Sequence, residues 1–332
     1  MVVTKNRTAQ EIVDREIVDQ EIVDREIVSR KIVIQNKIGQ DAVDKKGWLL
    51  AHKWLLLRRL SQVSIVFLFL AGPLFDVWLI KGNMTSSLVL NTIPLSDPFV
   101  FLQSVFAGHY PALTVLTGAV IVGLFYFIVG GRVYCSWVCP INIVTDIADW
   151  LRRFLKIKKS LTFLSINFSS LNFSRQNRYA LLAVSFLLAS VTGMLVWELV
   201  NPVTMIQREI VFGMGFSWFF IVGIFILDAF ISRRAWCGHL CPMGAFYSVL
   251  GKFSLIKVNA INRADCNDCM DCYALCPEPQ VIKPALKGDD SPLISSANCT
   301  NCGRCIDVCA KDVFAIKHRF INFKTITSRY NY

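Results

Sequence analysis

Histidine is scarce in this sequence. Four occur in 332 residues, His52, His109, His239 and His318, and none lies within a long apolar run. A b-type haem pair in a bilayer would need imidazoles inside the apolar segments, and covalent attachment would need C-x-x-C-H. Neither pattern occurs, so haem is not expected. Charge is also thin, at 18% of residues against roughly a quarter in soluble domains. The opening residues do not read as a cleavable signal peptide.

Apolar residues and cysteines are what the chain has instead. Hydrophobic residues make up 54%, and the mean hydropathy is +0.48. Apolar runs fall at about 60–80, 111–130, 179–199 and 211–231, each near the ~20 residues that cross a bilayer as a helix. They predict an all-α membrane protein with four transmembrane helices, arranged as two repeated hairpins. The formal charge of +11 would suit nucleic acid, but the basic residues gather beside the apolar runs. Trp48, His52, Lys53, Trp54, Arg58 and Arg59 precede the first run as a basic, aromatic stretch that reads as an interfacial anchor on the inner side. Arg132, Arg152, Arg153, Lys156, Lys158, Lys159, Arg175 and Arg178 lie between the second and third, while the other loops hold only Lys81 and Arg208. The positive-inside rule then predicts a bacterial inner membrane protein with both termini cytoplasmic, and lipid rather than nucleic acid as partner. Segment 141–155 has helical apolar spacing and a basic end, expected to lie on the membrane surface.

Residues 1–47 stand apart. Glu11-Ile-Val, Glu16-Ile-Val, Glu21-Ile-Val, Glu26-Ile-Val and Lys31-Ile-Val repeat every five residues, a period that collects no apolar side on a helix or a strand. This stretch reads as a low-complexity, disordered extension or an over-called start rather than a partner-binding arm. A membrane domain is expected at 48–255 and a ferredoxin domain at 256–332.

The tail carries the chemistry. Of twelve cysteines, eight form two runs, Cys266-x2-Cys269-x2-Cys272-x3-Cys276 and Cys299-x2-Cys302-x2-Cys305-x3-Cys309. This is the ligand run of bacterial-type two-cluster ferredoxins, in which the fourth cysteine completes the other cluster. The expected sets are therefore Cys266, Cys269, Cys272 and Cys309 for one [4Fe–4S] cluster, and Cys299, Cys302, Cys305 and Cys276 for the other. Zinc or a disulfide framework leaves eight cysteines in two matching runs unexplained. Pro277 follows the first run, whereas Ala310 stands at the matching place after the second. Cluster thiolates need a reducing compartment, which also argues for the cytoplasmic side.

The other four cysteines form a second repeat, Cys135-Ser-Trp-Val-Cys139-Pro140 and Cys237-Gly-His-Leu-Cys241-Pro242, with 102 residues between equivalent cysteines. Four-residue spacing puts both thiols of a pair on one side of a helical turn, and proline resists continuing that turn. Two readings stay open: structural cysteines acting as small hydrophobes, or a thiolate or metal-binding step in which all four sulfurs converge. Asp76, Glu198 and Asp228 sit near the ends of apolar runs. Together with His109 and His239 they are candidate proton acceptors for quinol oxidation.

With these motifs assembled, the sequence resembles the ferredoxin-type NapH family, the membrane subunit of quinol dehydrogenases serving periplasmic nitrate reductase, with relatives in nitrous-oxide respiration and methylamine oxidation. The likeness runs from about Lys46 to Phe314. It includes Trp54-Leu-Leu-Leu-Arg-Arg-Leu, the Ser86-Ser87 to Asp97-Pro98 loop, Phe106-Ala-Gly-His109, both Cys-x3-Cys-Pro units, Trp197-Glu198, Asn201-Pro202 and Cys276-Pro-Glu-Pro. The resemblance implies oxidation of menaquinol or ubiquinol and electron delivery to a NapG-like periplasmic ferredoxin. A c-type cytochrome and periplasmic nitrate reductase would follow. The rival expectation is a membrane iron–sulfur protein for metal reduction, or for maturation or sensing of a metalloenzyme.

Overall fold

The computed structural model describes residues 38–155, 175–213, 215–288 and 291–320. The five-residue repeats at 11–33 and Lys156, Lys158 and Lys159 of the basic loop lie outside them. Two short helices, α1 (Gln40–Lys46) and α2 (Trp48–Ala51), lead into the long helix α3 (Lys53–Phe75). No side chain of its own caps α3. Instead the Asp307 carboxylate, some 250 residues on, accepts hydrogen bonds from the Trp54 and Leu55 N–H groups at 3.1 and 2.9 Å.

The stretch after α3 is not a plain loop. Strands β1 (Ile80–Gly82), β2 (Ser86–Val89) and β3 (Ile93–Ser96) form an antiparallel meander in the order β1-β2-β3. Asp97 then caps α4 (Pro98–Phe106), accepting from the Phe99 N–H at 2.8 Å, with proline in the first turn where its missing N–H costs nothing. Helix α5 (Leu113–Val129) packs along β3 and ends at Gly130. Next come α6 (Ile141–Phe154), α7 (Asn177–Thr192), α8 (Val196–Val200), α9 (Pro202–Phe212), α10 (Ser217–Ile226) and α11 (Pro242–Gly251).

These elements overturn the expectation of an all-α domain with four transmembrane helices. Among the described residues only α3 is long and apolar enough to cross a membrane; the apolar helices Leu113–Val129, Asn177–Thr192 and Ser217–Ile231 are shorter. The reason lies at the helix ends. The run at 179–199 is cut by Gly193, whose φ of 66° makes it a left-handed cap. The run at 211–231 contains Gly213, at φ 95°, which ends α9. Hydropathy over twenty residues does not register either break. Helix α6 does form where amphipathic spacing predicts it, with Ile141, Thr145 and Asp149 buried and Ile147, Trp150 and Phe154 exposed.

In the tail, β4 (Ile256–Asn259) pairs antiparallel with β5 (Ala315–His318), closing a small unit. Between them lie α12 (Asp271–Leu275), α13 (Lys283–Lys287) and α14 (Arg304–Asp307). Val258, Ile282, Ile294 and Val313 make its core, with Cys272 inside it and five of the other seven tail cysteines, all but Cys269 and Cys302, packed at its edge.

Candidate functional site

The two cysteine runs adopt the same backbone. Asp268 and Asn301 stand at matching places with φ of 53° and 46°, and Met270 and Gly303 follow at 64° and 74°. Left-handed residues before and after the second cysteine bend the chain back on itself, and the third cysteine then enters a short helix, α12 or α14. Gly303 also lets the Trp54 ring approach; a Cβ there would lie 2.4 Å from a ring carbon.

The thiols group across the runs. Cys272 feels the sulfurs of Cys269, Cys309 and Cys266, while Cys276 feels those of Cys302 and Cys299. Cys276, Cys299, Cys302 and Cys305 line one small cavity. Cys305 is also within electrostatic reach of Cys272, so the two groups adjoin. Among the described residues no three His, Cys, Asp or Glu side chains gather tightly enough for a single metal ion. A [4Fe–4S] cluster takes four thiolates, and Cys276, Cys299, Cys302 and Cys305 around one cavity are the residues that would supply them.

Burial pushes the Cys272 thiol up to about 12 and Cys299 up to about 11. Cys302 goes the other way: burial opposes ionisation, but the guanidiniums of Arg304 and Arg58 outweigh it and draw the thiol down. Arg58 is wholly buried, and its three guanidinium nitrogens have no hydrogen-bond partner among the described residues. A donor group left in that state is costly. An iron–sulfur cluster on Cys302 would present sulfur acceptors on that side, so the residues present fit the group.

Each Cys-x3-Cys-Pro unit is a π-turn, Tyr134–Val138 and Trp236–Leu240. The Cys139 N–H donates to the Tyr134 carbonyl at 3.0 Å and the Cys241 N–H to the Trp236 carbonyl at 2.9 Å. Both second cysteines are extended, with φ,ψ of −65°, 118° and −72°, 110°. The expected α-helical spacing is therefore replaced by a wider turn of the kind that recurs at functional sites. All four sulfurs come together: Cys237 feels Cys241, Cys139 and Cys135, and Cys241 feels Cys135.

Three acidic hubs join these parts. Glu278, two residues after Cys276, binds Arg132, Arg175 and Arg178. Burial alone would raise its carboxyl, but the guanidiniums hold it at about 2. Asp146 of α6 binds Arg59, Arg234 and Arg304, and Asp149 binds Arg233 and Arg153. Arg132 and Arg234 each stand three residues before the first cysteine of a unit, so both units are tied to an acid by the same register. The first unit also meets the second run directly: Ser136 Oγ donates to the Thr300 carbonyl at 2.8 Å and Trp137 Nε1 to the Asn301 carbonyl at 3.2 Å. From α3, Gln62 Nε2 donates to the Ser136 carbonyl at 2.9 Å.

The candidate proton acceptors are scattered. Asp76 is exposed and accepts from Trp78 Nε1 at 2.7 Å; His109 is exposed beyond α4. Glu198 accepts from Thr85 Oγ1 at 3.0 Å. Asp228 is buried and caps the second unit, accepting from the Trp236 N–H at 3.0 Å. His239 is half-buried within that unit, and burial lowers its pKa. Sequence reasoning passed over Asp97, buried beside the Tyr247 hydroxyl at 3.3 Å, whose Asp-Pro signature reads only as a helix start. It also took His52 and Arg58 as interfacial anchors. In the fold they line a cavity of about 760 Å³ with Trp48, Ile147, Trp150 and Arg304.

Comparison with known proteins agrees with this arrangement. A family model described as a 4Fe-4S binding domain matches residues 111–158 and again 214–260, and one described as a 4Fe-4S dicluster domain matches 258–310. The chain is 45% identical over 283 residues to the ferredoxin-type protein NapH of Escherichia coli (strain K12), covering 85% of this chain and 95% of the relative. To the NapH of Haemophilus influenzae it is 48% identical over 284 residues, 85% and 96% of the two chains. To the methylamine utilization ferredoxin-type protein MauN of Paracoccus denitrificans it is 51% identical over 278 residues, 84% and 95%. No solved structure matches the chain.

Proposed function

The chain belongs to the ferredoxin-type NapH/MauN family of [4Fe–4S] electron-transfer proteins, and on that premise we propose that it is the membrane-attached electron-transfer subunit of a quinol dehydrogenase. Two [4Fe–4S] clusters sit in the tail, one on Cys266, Cys269, Cys272 and Cys309, the other on Cys276, Cys299, Cys302 and Cys305. The observation that carries this reading is the gathering of Cys276 with three thiols of the other run around one cavity. A bound cluster supplies one-electron storage and release.

The chain's own residues do the rest. Helix α3 anchors the protein in the bacterial inner membrane, with the tail on the cytoplasmic side. Quinol docks in the cavity of about 760 Å³, its head toward His52 and Arg58 and its tail along Ile147 and Trp150. A carbonyl only accepts, so His52 Nδ1 donates to the Trp48 carbonyl at 2.9 Å, leaving Nε2 as the base for a quinol proton. Oxidation to quinone would release two protons and two electrons, and clusters held by the adjoining tail thiols would accept those electrons one at a time. They continue toward a periplasmic ferredoxin partner, a c-type cytochrome and periplasmic nitrate reductase.

The test is to add quinol to anaerobically purified protein with its ferredoxin partner. The visible cluster absorbance should bleach within a turnover. Iron-replete protein that stays oxidised would rule out quinol as donor. The second reading, metal reduction or metalloenzyme maturation, is favoured by the convergence of four further thiols; it predicts a reductase lacking its cofactor in cells without this protein.

A further inference from the structure

The Cys-x3-Cys-Pro units have no part in the quinol oxidation proposed above. Each of their segments matches a 4Fe-4S binding domain model, yet each supplies only two sulfurs where a cubane takes four. The fold resolves that shortfall across the segments. Cys135, Cys139 and Cys241 pack against one apolar cluster that includes Tyr134, Met243 and Tyr247. Cys139 and Cys237 share a second, on Ile141, Val203 and Ile224. Cys135 and Cys237 in turn form one wall of a cavity whose other wall carries Cys302, Arg58 and Arg304. Two sulfurs from each unit thus meet at one place, beside the second tail group.

We propose that Cys135, Cys139, Cys237 and Cys241 together hold a third [4Fe–4S] cluster, a single cluster shared by the two repeats. The proposal rests on the iron–sulfur reading of the tail. Four structural cysteines would be content among apolar neighbours, but these are accompanied by buried charge. Arg132 lines the same cavity as Cys135 and Cys237 and donates to the Cys237 carbonyl at 3.5 Å, while its Nε has no partner among the described residues. Cationic donors around thiols are what an anionic, sulfur-rich group requires. The π-turns are consistent with this use, since single turns of that kind recur at functional sites. All four cysteines are free thiols. Cys135, Cys237 and Cys302 line that one cavity, so a cluster held here would neighbour the one held by the second run and would exchange single electrons with it, one oxidised as the other is reduced.

The experiment is iron and acid-labile sulfide analysis of anaerobically purified full chain, with EPR of the reduced protein. The parent should hold about twelve irons rather than about eight. Cys135→Ser and, separately, Cys241→Ser should each lose about four irons while the tail signals persist. The same loss in both variants, with the rest retained, shows that they fold. Magnetic coupling between neighbouring reduced clusters should weaken in both. About eight irons in the parent, unchanged in both variants, with four alkylatable thiols or a disulfide at these positions, would overturn the proposal. Cys299→Ser separates the two readings. If it sheds iron and Cys135→Ser does not, the third cluster falls and the tail clusters stand. If only Cys135→Ser sheds iron, the third cluster stands and the tail assignment falls.

Discussion

The two cysteine-bearing regions are both duplications, and they use duplication in opposite ways. In the tail the repeats exchange a thiol: each run bends three thiols together through left-handed residues and sends its fourth to the other group. In the helical part the repeats pool their thiols: each π-turn brings two, and the two pairs meet. The difference follows from what one segment can present. A tight loop with free φ at two positions turns three sulfurs inward, whereas a helical turn braced by i,i+5 bonds turns only two.

The most forceful way to break this comparison is Cys276→Ser. It should empty the group of the second run, removing about four irons, and leave the signal of the cluster on Cys266, Cys269 and Cys272. Cys309→Ser should do the reverse. If each variant instead loses the cluster of its own run, the exchange is wrong and each run holds its own group.

Next come the acidic hubs that join the regions. Glu278→Gln or Asp146→Asn strands three guanidiniums, and removing one partner from a buried pair costs about 3–5 kcal/mol. Chemical denaturation in detergent should show that loss as a lower midpoint, with tail and helical parts unfolding at separate midpoints.

A third test compares one glycine from each region. A Cβ on Gly131 would fall 1.8 Å from the Tyr247 carbonyl oxygen, which is backbone; a Cβ on Gly303 meets the Trp54 side chain. Overpacking typically costs about 1–3 kcal/mol. Gly131→Ala should lie at the upper end and Gly303→Ala lower, because a side chain yields more easily than a helix, although φ at Gly303 adds strain. Equal shifts in Tm would show that the tail joint is as stiff as the helical one.

The smallest effect is in pH. Burial raises the Asp97 carboxyl from 3.8 to about 7. The folded state therefore keeps a proton that the unfolded chain has lost, and its stability falls as pH rises across that interval. For Asp149, burial is outweighed by Arg233, Arg234 and Arg153, which hold it at about 2. Its contribution is complete above 3.8 and fades as pH drops toward 2. In Tm measured against pH, Asp97→Asn should flatten the first slope and Asp149→Asn the second.

The sequence made the cysteine chemistry legible because ligand spacing is covalent: three residues in a loop reach only so far, and both runs repeat that reach. The second repeat was legible for the same reason, down to its place after a basic residue. The apolar runs were less so. Apolar content marks which stretches avoid water, but Gly193 and Gly213 decide where helices stop, and a twenty-residue average passes over both. The meander of β1–β3 was hidden because its strands are only three or four residues long. Arg58 was hidden by its neighbours: beside Trp54 and Arg59 it reads as an interfacial anchor, and only the packing of α3 on α14 turns it toward Cys302.

The Asp307 cap has a consequence for how the chain is made. Helix α3 is among the first elements to emerge during synthesis, yet the carboxylate that completes its opening turn is among the last. The nascent helix must wait with two N–H groups unanswered until the carboxyl-terminal segment leaves the ribosome and closes over it. A polypeptide halted before Asp307 would carry every apolar stretch and still lack the lock on its own beginning.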